Sequence, residues 1–270
     1  MGFSVLMSVY EKEKPEYLKE ALLSVVNQTM QPDEIVLIED GRLTDDLYRV
    51  IEEIRMQHPI LKPYSSQQNE GLGLALAKGV TLCKNELVAR MDTDDIASEN
   101  RFEQQYTYMM EHKEVTALGG FVEEFDEEEK DYHKIKRMPL AMSDIRSYAR
   151  YRNPLNHMTV MFRKSAVLAA GGYRHFPYLE DYDLWIRMLA RGACFHNLDT
   201  VLVKTRCNND IYERRGGISY CKQYLKLRKQ QYDLILLNFF EYQVAKLLTV
   251  CMTVQPKGLR KVVYRKVLRR

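Results

Sequence analysis

Glu86-Leu87-Val88-Ala89-Arg90-Met91-Asp92-Thr93-Asp94-Asp95 is the stretch whose reading decides the fold. Its apolar run, Leu87 to Met91, has strand length, and helix-like sequence resumes only near Asn100. The run stops in three carboxylates within four residues. Charges that close repel one another unless a cation or a set of donors sits among them. The hard cations Mg²⁺ and Mn²⁺ take one or two carboxylates and complete their shell with substrate phosphates. An acidic turn capping the following helix would use the same residues. Both readings stand on this stretch alone.

Working back from it, Phe3 to Val9 reads as a buried first strand ending at Tyr10-Glu11. Pro15 opens a helix whose Leu18, Leu22, Val25 and Val26 fall at core-facing spacing. Pro32-Asp33 turns into a second strand, Glu34 to Ile38, which stops at Glu39-Asp40-Gly41. Leu47, Val50, Ile51 and Ile54 mark a helix, Leu61 to Ser65 a third strand, and Asn69-Glu70-Gly71-Leu72-Gly73 leads into a helix through Leu82. This alternation predicts an α/β fold, a mostly parallel sheet with helices on both faces. Such sheets bind ligands beyond the carboxyl ends of their strands. Tyr10-Glu11, Glu39-Asp40 and Asp92 to Asp95 all fall there, which favours a binding site. Gly71 and Gly73 do not make a dinucleotide fingerprint, because position 76 is Leu76 and the pair follows the third strand. The Gly71 turn is a helix start whose N–H groups would face an anion, or plain turn chemistry.

Working forward, a helix is expected over Asn100 to His112, then two strands, Val115 to Leu118 and Phe121 to Phe125, around Gly119-Gly120. Asp126 to Arg137 reads as a charged hairpin or loop, and Ser143 as the cap of a helix to about Tyr151. Asn153-Pro154-Leu155-Asn156-His157 precedes a strand-like Thr159 to Phe162, and Lys164 to Ala170 a helix closed by Gly171-Gly172. Leu179 to Trp185 then enters a helix whose Leu184, Met188 and Leu189 face inward. Glu180, Asp181 and Asp183 complement that helix's dipole. An acid pair beside the only tryptophan, after an aromatic loop, also fits a site.

At 46% hydrophobic and 29% charged residues, the 270-residue chain is globular rather than disordered. Five scattered cysteines, an odd number without metal-type spacing, point to reduced thiols in the cytosol. No basic region precedes the first strand, so no signal peptide is expected. Residues 220–270 carry 12 Lys and Arg against Asp233 and Glu241, while the remainder carries 28 basic against 35 acidic side chains. A basic tail on an acidic body suits an anionic partner, nucleic acid or a membrane. The acidic body and the lack of an aromatic platform argue against nucleic acid. Residues 218–250 form one or two helices, interrupted too often by charge for the ~20 apolar residues of a membrane span. Leu259 to Arg270 is a basic amphipathic helix of the kind that lies in an anionic interface, the competing account of the tail being a bundle packed on the catalytic domain with its basic face in solvent. The expected division is therefore a catalytic domain over 1–217, with halves at about 1–95 and 96–217, and a helical membrane-associating tail over 218–270.

With these pieces in order, the chain resembles the GT-A-fold inverting glycosyltransferases of family 2, of the type that assembles bacterial surface polysaccharide, capsule and O-antigen. The carrying residues are Ser4 to Tyr10, Val25-Val26-Asn27-Gln28-Thr29, Ile38-Glu39-Asp40-Gly41, Asn69-Glu70-Gly71-Leu72, Asp92-Thr93-Asp94-Asp95, Gly171-Gly172-Tyr173 and Glu180-Asp181-Tyr182-Asp183-Leu184-Trp185, over about residues 3–205. The resemblance implies that Ser8, Tyr10, Glu11, Asp40, Gly71 and Asp92 line the nucleotide-sugar pocket. It implies that Asp94, with Asp92 or Asp95, holds Mn²⁺ or Mg²⁺ on the diphosphate. Asp181 matches the catalytic base, with Glu180 beside it on substrate hydroxyls, and His157 and Trp185 fall on the acceptor side. Relatives carry a metal- or phosphate-binding His after the last core strand. Here that region reads Lys204-Thr205-Arg206-Cys207-Asn208-Asn209, so Arg206, Arg214 or Arg215 would meet the diphosphate instead, Asn208 to Gly217 acting as a lid.

The activity so implied is transfer of a hexose, first galactose from UDP-galactose, to a lipid-linked glycan, by a cytoplasmic enzyme peripheral on the inner membrane. A nucleotidyltransferase would need a glycine-rich basic loop after the first strand, where this chain has Tyr10-Glu11-Lys12-Glu13.

Overall fold

Alternation along the first strands feeds two cores at once. In β1 (Phe3–Val9) and β2 (Glu34–Glu39) every residue but Ser8 is buried. Val5, Met7, Ile35 and Leu37 join one core, and Leu6, Val36 and Ile38 the other. Helices α1 (Pro15–Val26) and α2 (Asp45–Gln57) cover the first face through Leu18, Leu22, Val25, Leu47 and Ile51. After β3 (Leu61–Ser65), α3 (Leu72–Leu82) covers the second through Ala75, Leu76 and Val80. The computed structural model describes residues 2–126, 132–207 and 216–255.

The chain continues through β4 (Leu87–Arg90), β5 (Ile96–Ala97), α4 (Arg101–Glu111), β6 (Val115–Phe125), β7 (His133–Lys136) and α5 (Met142–Tyr148). A 3₁₀ turn at His157–Thr159, β8 (Met161–Arg163), α6 (Lys164–Ala169), α7 (Glu180–Ala190) and β9 (Cys194–Arg206) follow. A hairpin of α8 (Ile218–Asp233) and α9 (Phe239–Thr253) closes the described chain.

The strands lie in the order β3-β2-β1-β4-β8-β6-β9-β5, with β7 on β6. The first four are parallel, as the alternation required. Beyond β4 the sheet turns mixed: β8 is antiparallel to both β4 and β6, β9 parallel to β6, and β5 antiparallel to β9. The expected break at Gly119-Gly120 is absent, and β6 runs through it. Those glycines are needed for close approach: a Cβ at Gly119 would sit 2.3 Å from Asn197 Oδ1, and one at Gly120 2.5 Å from Leu202 Cδ1. The helix assigned to a Ser143 cap begins one residue earlier, at Met142, with no side-chain cap.

Residues 218–250 do form two helices, and α8 is bolted to the body. Arg228, 4% exposed, donates to the carbonyls of Arg150 (2.9 Å) and Tyr151 (2.7 Å) and lies 3.3 Å from the Tyr182 hydroxyl. Gln231 Nε2 donates to the Ala149 carbonyl at 2.7 Å. Leu227 packs among Phe176, Leu179, Tyr182 and Ile186. Among the described residues no helix is long and apolar enough to cross a membrane.

Candidate active site

The loop after β4 is gripped from three directions. Thr93 Oγ1 reaches Glu13 Oε2 at 2.7 Å and the Ser8 carbonyl at 3.3 Å, which ties the loop to the end of β1. Arg206, at the end of β9, donates to the Asp94 carbonyl and pairs with Glu20. Ile96 and Ala97 pair with Lys204 and Val203. So held, the carboxylate oxygens of Asp92, Asp94 and Asp95 all lie within 4.8 Å of one another. Helix α4 starts only at Arg101, after Asn100, so the acids do not cap it.

Electrostatics at this cluster are unbalanced. Burial, then the charges of Asp92 and Glu13, push Asp94 up to about 7. Asp95, 3% exposed, is raised well above the ordinary carboxylate range by burial and by Asp94 and Asp92. Three oxygen-only donors that repel one another, with Asp92 and Asp94 partly open to solvent, fit a hard divalent cation.

Strand alternation turns Arg90 away from the first core, since Ala89 and Met91 pack into it. Arg90 is 1% exposed, and its Nη1 lies against Asp92 Oδ1. A buried guanidinium of this kind requires a partner charge. Arg101, fully buried, donates to the Arg90 carbonyl at 2.7 Å and is pushed down to about 9 by burial and by the Arg90 charge.

The second acidic group heads α7. Arg187, inside that helix, bonds the carbonyls of Ala170 and Gly172 and bridges Asp183 at 2.7 Å. This fastens the glycine turn (Gly171 φ 86°, Gly172 φ 64°) to the helix and makes Asp183 structural. Asp181 accepts from Asn153 Nδ2 and, at 2.7 Å, from the Tyr182 N–H. Glu180 is pushed up to about 7, first by burial and then by Asp181, with smaller effects from Arg90 and Asp92. The buried phenol of Tyr173 is raised by burial, Asp181, Glu180 and Asp92, and lowered by Arg90. In space, the head of α7 packs on the start of α3, where a Cβ at Gly73 would lie 3.3 Å from Glu180 Cβ.

Asp40, just after β2, ties that strand to the turn before α3. It is 4% exposed and accepts from the backbone N–H of Glu70 (2.8 Å) and Gly71 (2.9 Å). Gly41 (φ 86°) lets the chain pass, since a Cβ there would meet the Asn69 nitrogen at 2.7 Å. Tyr10, 40% exposed, and the exposed Glu11 stand at the end of β1.

Three expectations change. Trp185 is fully buried, edge-on to Phe195 at 5.9 Å, so it is a core residue and not an acceptor contact. His157 is 9% exposed, with Nε2 2.9 Å from the Tyr173 hydroxyl, and burial and Arg90 push it well below its ordinary range. Its ring packs against Tyr173 and Trp185. Arg206, offered to the diphosphate by the sequence, instead holds the acidic loop and lies over the Tyr17 ring. Arg214 and Arg215, and Asn208 onward of the lid, fall in residues 208–215, outside the described residues. Sequence reasoning missed Glu13, Arg90 and the pairing of Asn153 with Asp181. An arginine in an otherwise apolar strand, two residues before an acid triplet, was the available signal.

A sheet whose first four strands are parallel and whose second half is mixed, with acids after β4 and at the head of α7, is the plan of a GT-A glycosyltransferase. In fold, 99% of the chain matches 76% of the S. aureus TarS 1–349 chain, in a crystal structure with UDP-GlcNAc, at a TM-score of 0.68 and 16% identity. The chain belongs to glycosyl transferase family 2, whose family model matches residues 4–170. It is 41% identical to the amylovoran biosynthesis glycosyltransferase AmsE of Erwinia amylovora, over 98% of each chain. It is 37% identical to the UDP-Gal:alpha-D-GlcNAc-diphosphoundecaprenol beta-1,3-galactosyltransferase of Escherichia coli, over 99% of this chain and 97% of the relative.

Proposed function

We propose that this glycosyltransferase transfers galactose from UDP-galactose to a hydroxyl of a lipid-linked glycan, with inversion at the anomeric carbon, during bacterial surface-polysaccharide synthesis. The observation that carries the reading is the cluster of Asp92, Asp94 and Asp95 at the end of β4, with carboxylate oxygens within 4.8 Å of one another. The choice of donor and acceptor is supported by the 37% identical relative. The acceptor places the enzyme at the cytoplasmic face of the inner membrane.

Asp181 takes the proton of the acceptor hydroxyl as that oxygen attacks opposite the leaving group. Asn153, donating to Asp181, fixes the carboxylate's orientation. Glu180 accepts from substrate hydroxyls. Tyr10, Glu11 and the Asp40-shaped turn at Gly71 receive base and ribose, with Ser8 and Asp92 below them. Asp94, with Asp92 or Asp95, would hold Mn²⁺ or Mg²⁺, whose charge stabilises the departing diphosphate. Arg214 and Arg215 are further candidates for that leaving group.

A donor panel with a GlcNAc-diphospholipid acceptor, read as nucleotide release with and without Mn²⁺, tests the reading. UDP release from UDP-galactose that needs acceptor and metal is expected. Pyrophosphate release would make the protein a nucleotidyltransferase and overturn it.

A further inference from the structure

Helix α9 is built inside out. Its buried residues are Ala245, Thr249 and Thr253, small or polar and spaced by four. At ~100° per residue, Phe239, Phe240, Leu247, Val250 and Val254 share the opposite side, on an arc of roughly 120° that holds no charged residue. They are 66%, 74%, 65%, 41% and 57% exposed. A surface helix normally turns that stripe to the core. The bend before it adds a second anomaly. Ile235 has φ 60° and is 89% exposed. A β-branched residue in the left-handed region is strained, and Gly or Asn would fit that bend more easily.

We infer that this ridge, Ile235 with the outer face of α9, seats in an anionic lipid bilayer. The inference deepens the proposed reaction on a lipid-linked acceptor by naming the surface that meets the lipid. Charge decides the occupant. Residues 256–270, which follow α9 directly, contain seven Lys and Arg and no acid. On the body, Arg146 lines a cleft beside Leu234, Ile235 and Leu236, next to the Arg150–Glu241 pair. A second copy docked ridge to ridge would bring no unpaired acid, because the acids after residue 220 are already paired, Asp233 with Lys229 and Glu241 with Arg150. A leaflet rich in anionic lipid supplies both the apolar interior and the counter-charge. The seat is also aimed, because α8 joins it through Arg228 and Gln231 to the segment leading to Asn153 and to Tyr182, beside Asp181.

The test is sedimentation of the full chain with phosphatidylglycerol-containing vesicles and with pure phosphatidylcholine vesicles, for the wild type and for the double variant Phe240→Glu, Leu247→Glu. The wild type is expected to bind the anionic vesicles, and the variant to bind them about tenfold more weakly or less. Turnover of a water-soluble acceptor should be unchanged in the variant, while turnover of a vesicle-borne acceptor falls with binding. Wild-type protein that ignores vesicles overturns the inference, as does a variant that binds like wild type. A wild-type dimer that the variant converts to monomer, without vesicle binding, assigns the ridge to a second copy and also overturns it. Vesicle binding is read without donor or acceptor, so its failure is separate from any failure of the proposed transfer.

Discussion

Helices α7 and α9 both carry large apolar side chains, which α7 buries and α9 turns outward. In α7 the apolar residues Leu184, Trp185, Met188 and Leu189 are buried, and the polar interest lies at its head, in Glu180 and Asp181. In α9 the buried side is Ala245, Thr249 and Thr253, and the large apolar groups face out. The same periodicity therefore has two meanings. A stripe that faces the core holds a catalytic group still, and a stripe that faces away needs a partner to cover it.

The largest effect that sharpens this contrast lies at the head of α7. Asp181→Asn should lower kcat by about 10²–10⁴-fold while UDP affinity, read by calorimetry, stays unchanged. Undiminished turnover would remove Asp181 from the base role. One turn on, Trp185→Ala should destabilise the fold by about 3–5 kcal/mol in urea titration, the cost of emptying a packed aromatic site. A small loss there would break the comparison, since it would leave α7 no better seated than α9.

The next effect is one of pH. Glu180 and Asp94 both sit at about 7 in the native chain, whereas in the unfolded chain they return to the ordinary carboxylate range. The folded state thus keeps protons that the unfolded state has lost, so stability falls as pH climbs from about 4.5 through 7. Urea midpoints measured across that window should decline, and Glu180→Gln should flatten the slope. For Asp94 the same proton must leave before a cation binds, so Mn²⁺ affinity should drop by about tenfold per unit below pH 7. The smallest effect belongs to α9. Phe240→Ala should change stability by less than about 0.5 kcal/mol, because the ring is already in solvent.

The parallel half of the fold was legible because β1, β2 and β4 are short apolar runs with polar ends, a pattern confined to neighbouring residues. The acid cluster was legible for the same reason. What escaped depends on contacts remote in sequence. Asn153 meets Asp181 across 28 residues, and Arg206 meets the Asp94 carbonyl across 112. Gly119-Gly120 looked like a break because glycine usually punctuates, whereas here Asn197 and Leu202 press against a continuous strand. Trp185 was readable and misread. It stands three and four residues before Met188 and Leu189, on the very stripe already assigned inward. Its position beside an acid pair suggested an acceptor contact, and the helical period carried the better information.

The Arg228 bolt has a practical consequence. A protein with a greasy, cationic end invites trimming at residue 217 to obtain a better-behaved enzyme. Such a cut would strip the carbonyls of Arg150 and Tyr151 of their donor and uncover Phe176, Leu179 and Ile186. The loss would fall on the residues that lead to Asn153 and on the start of the helix that bears Asp181. Solubility and turnover are therefore tied together in this chain, and the cleaner route to handling it is to change the outer face of its last described helix one residue at a time.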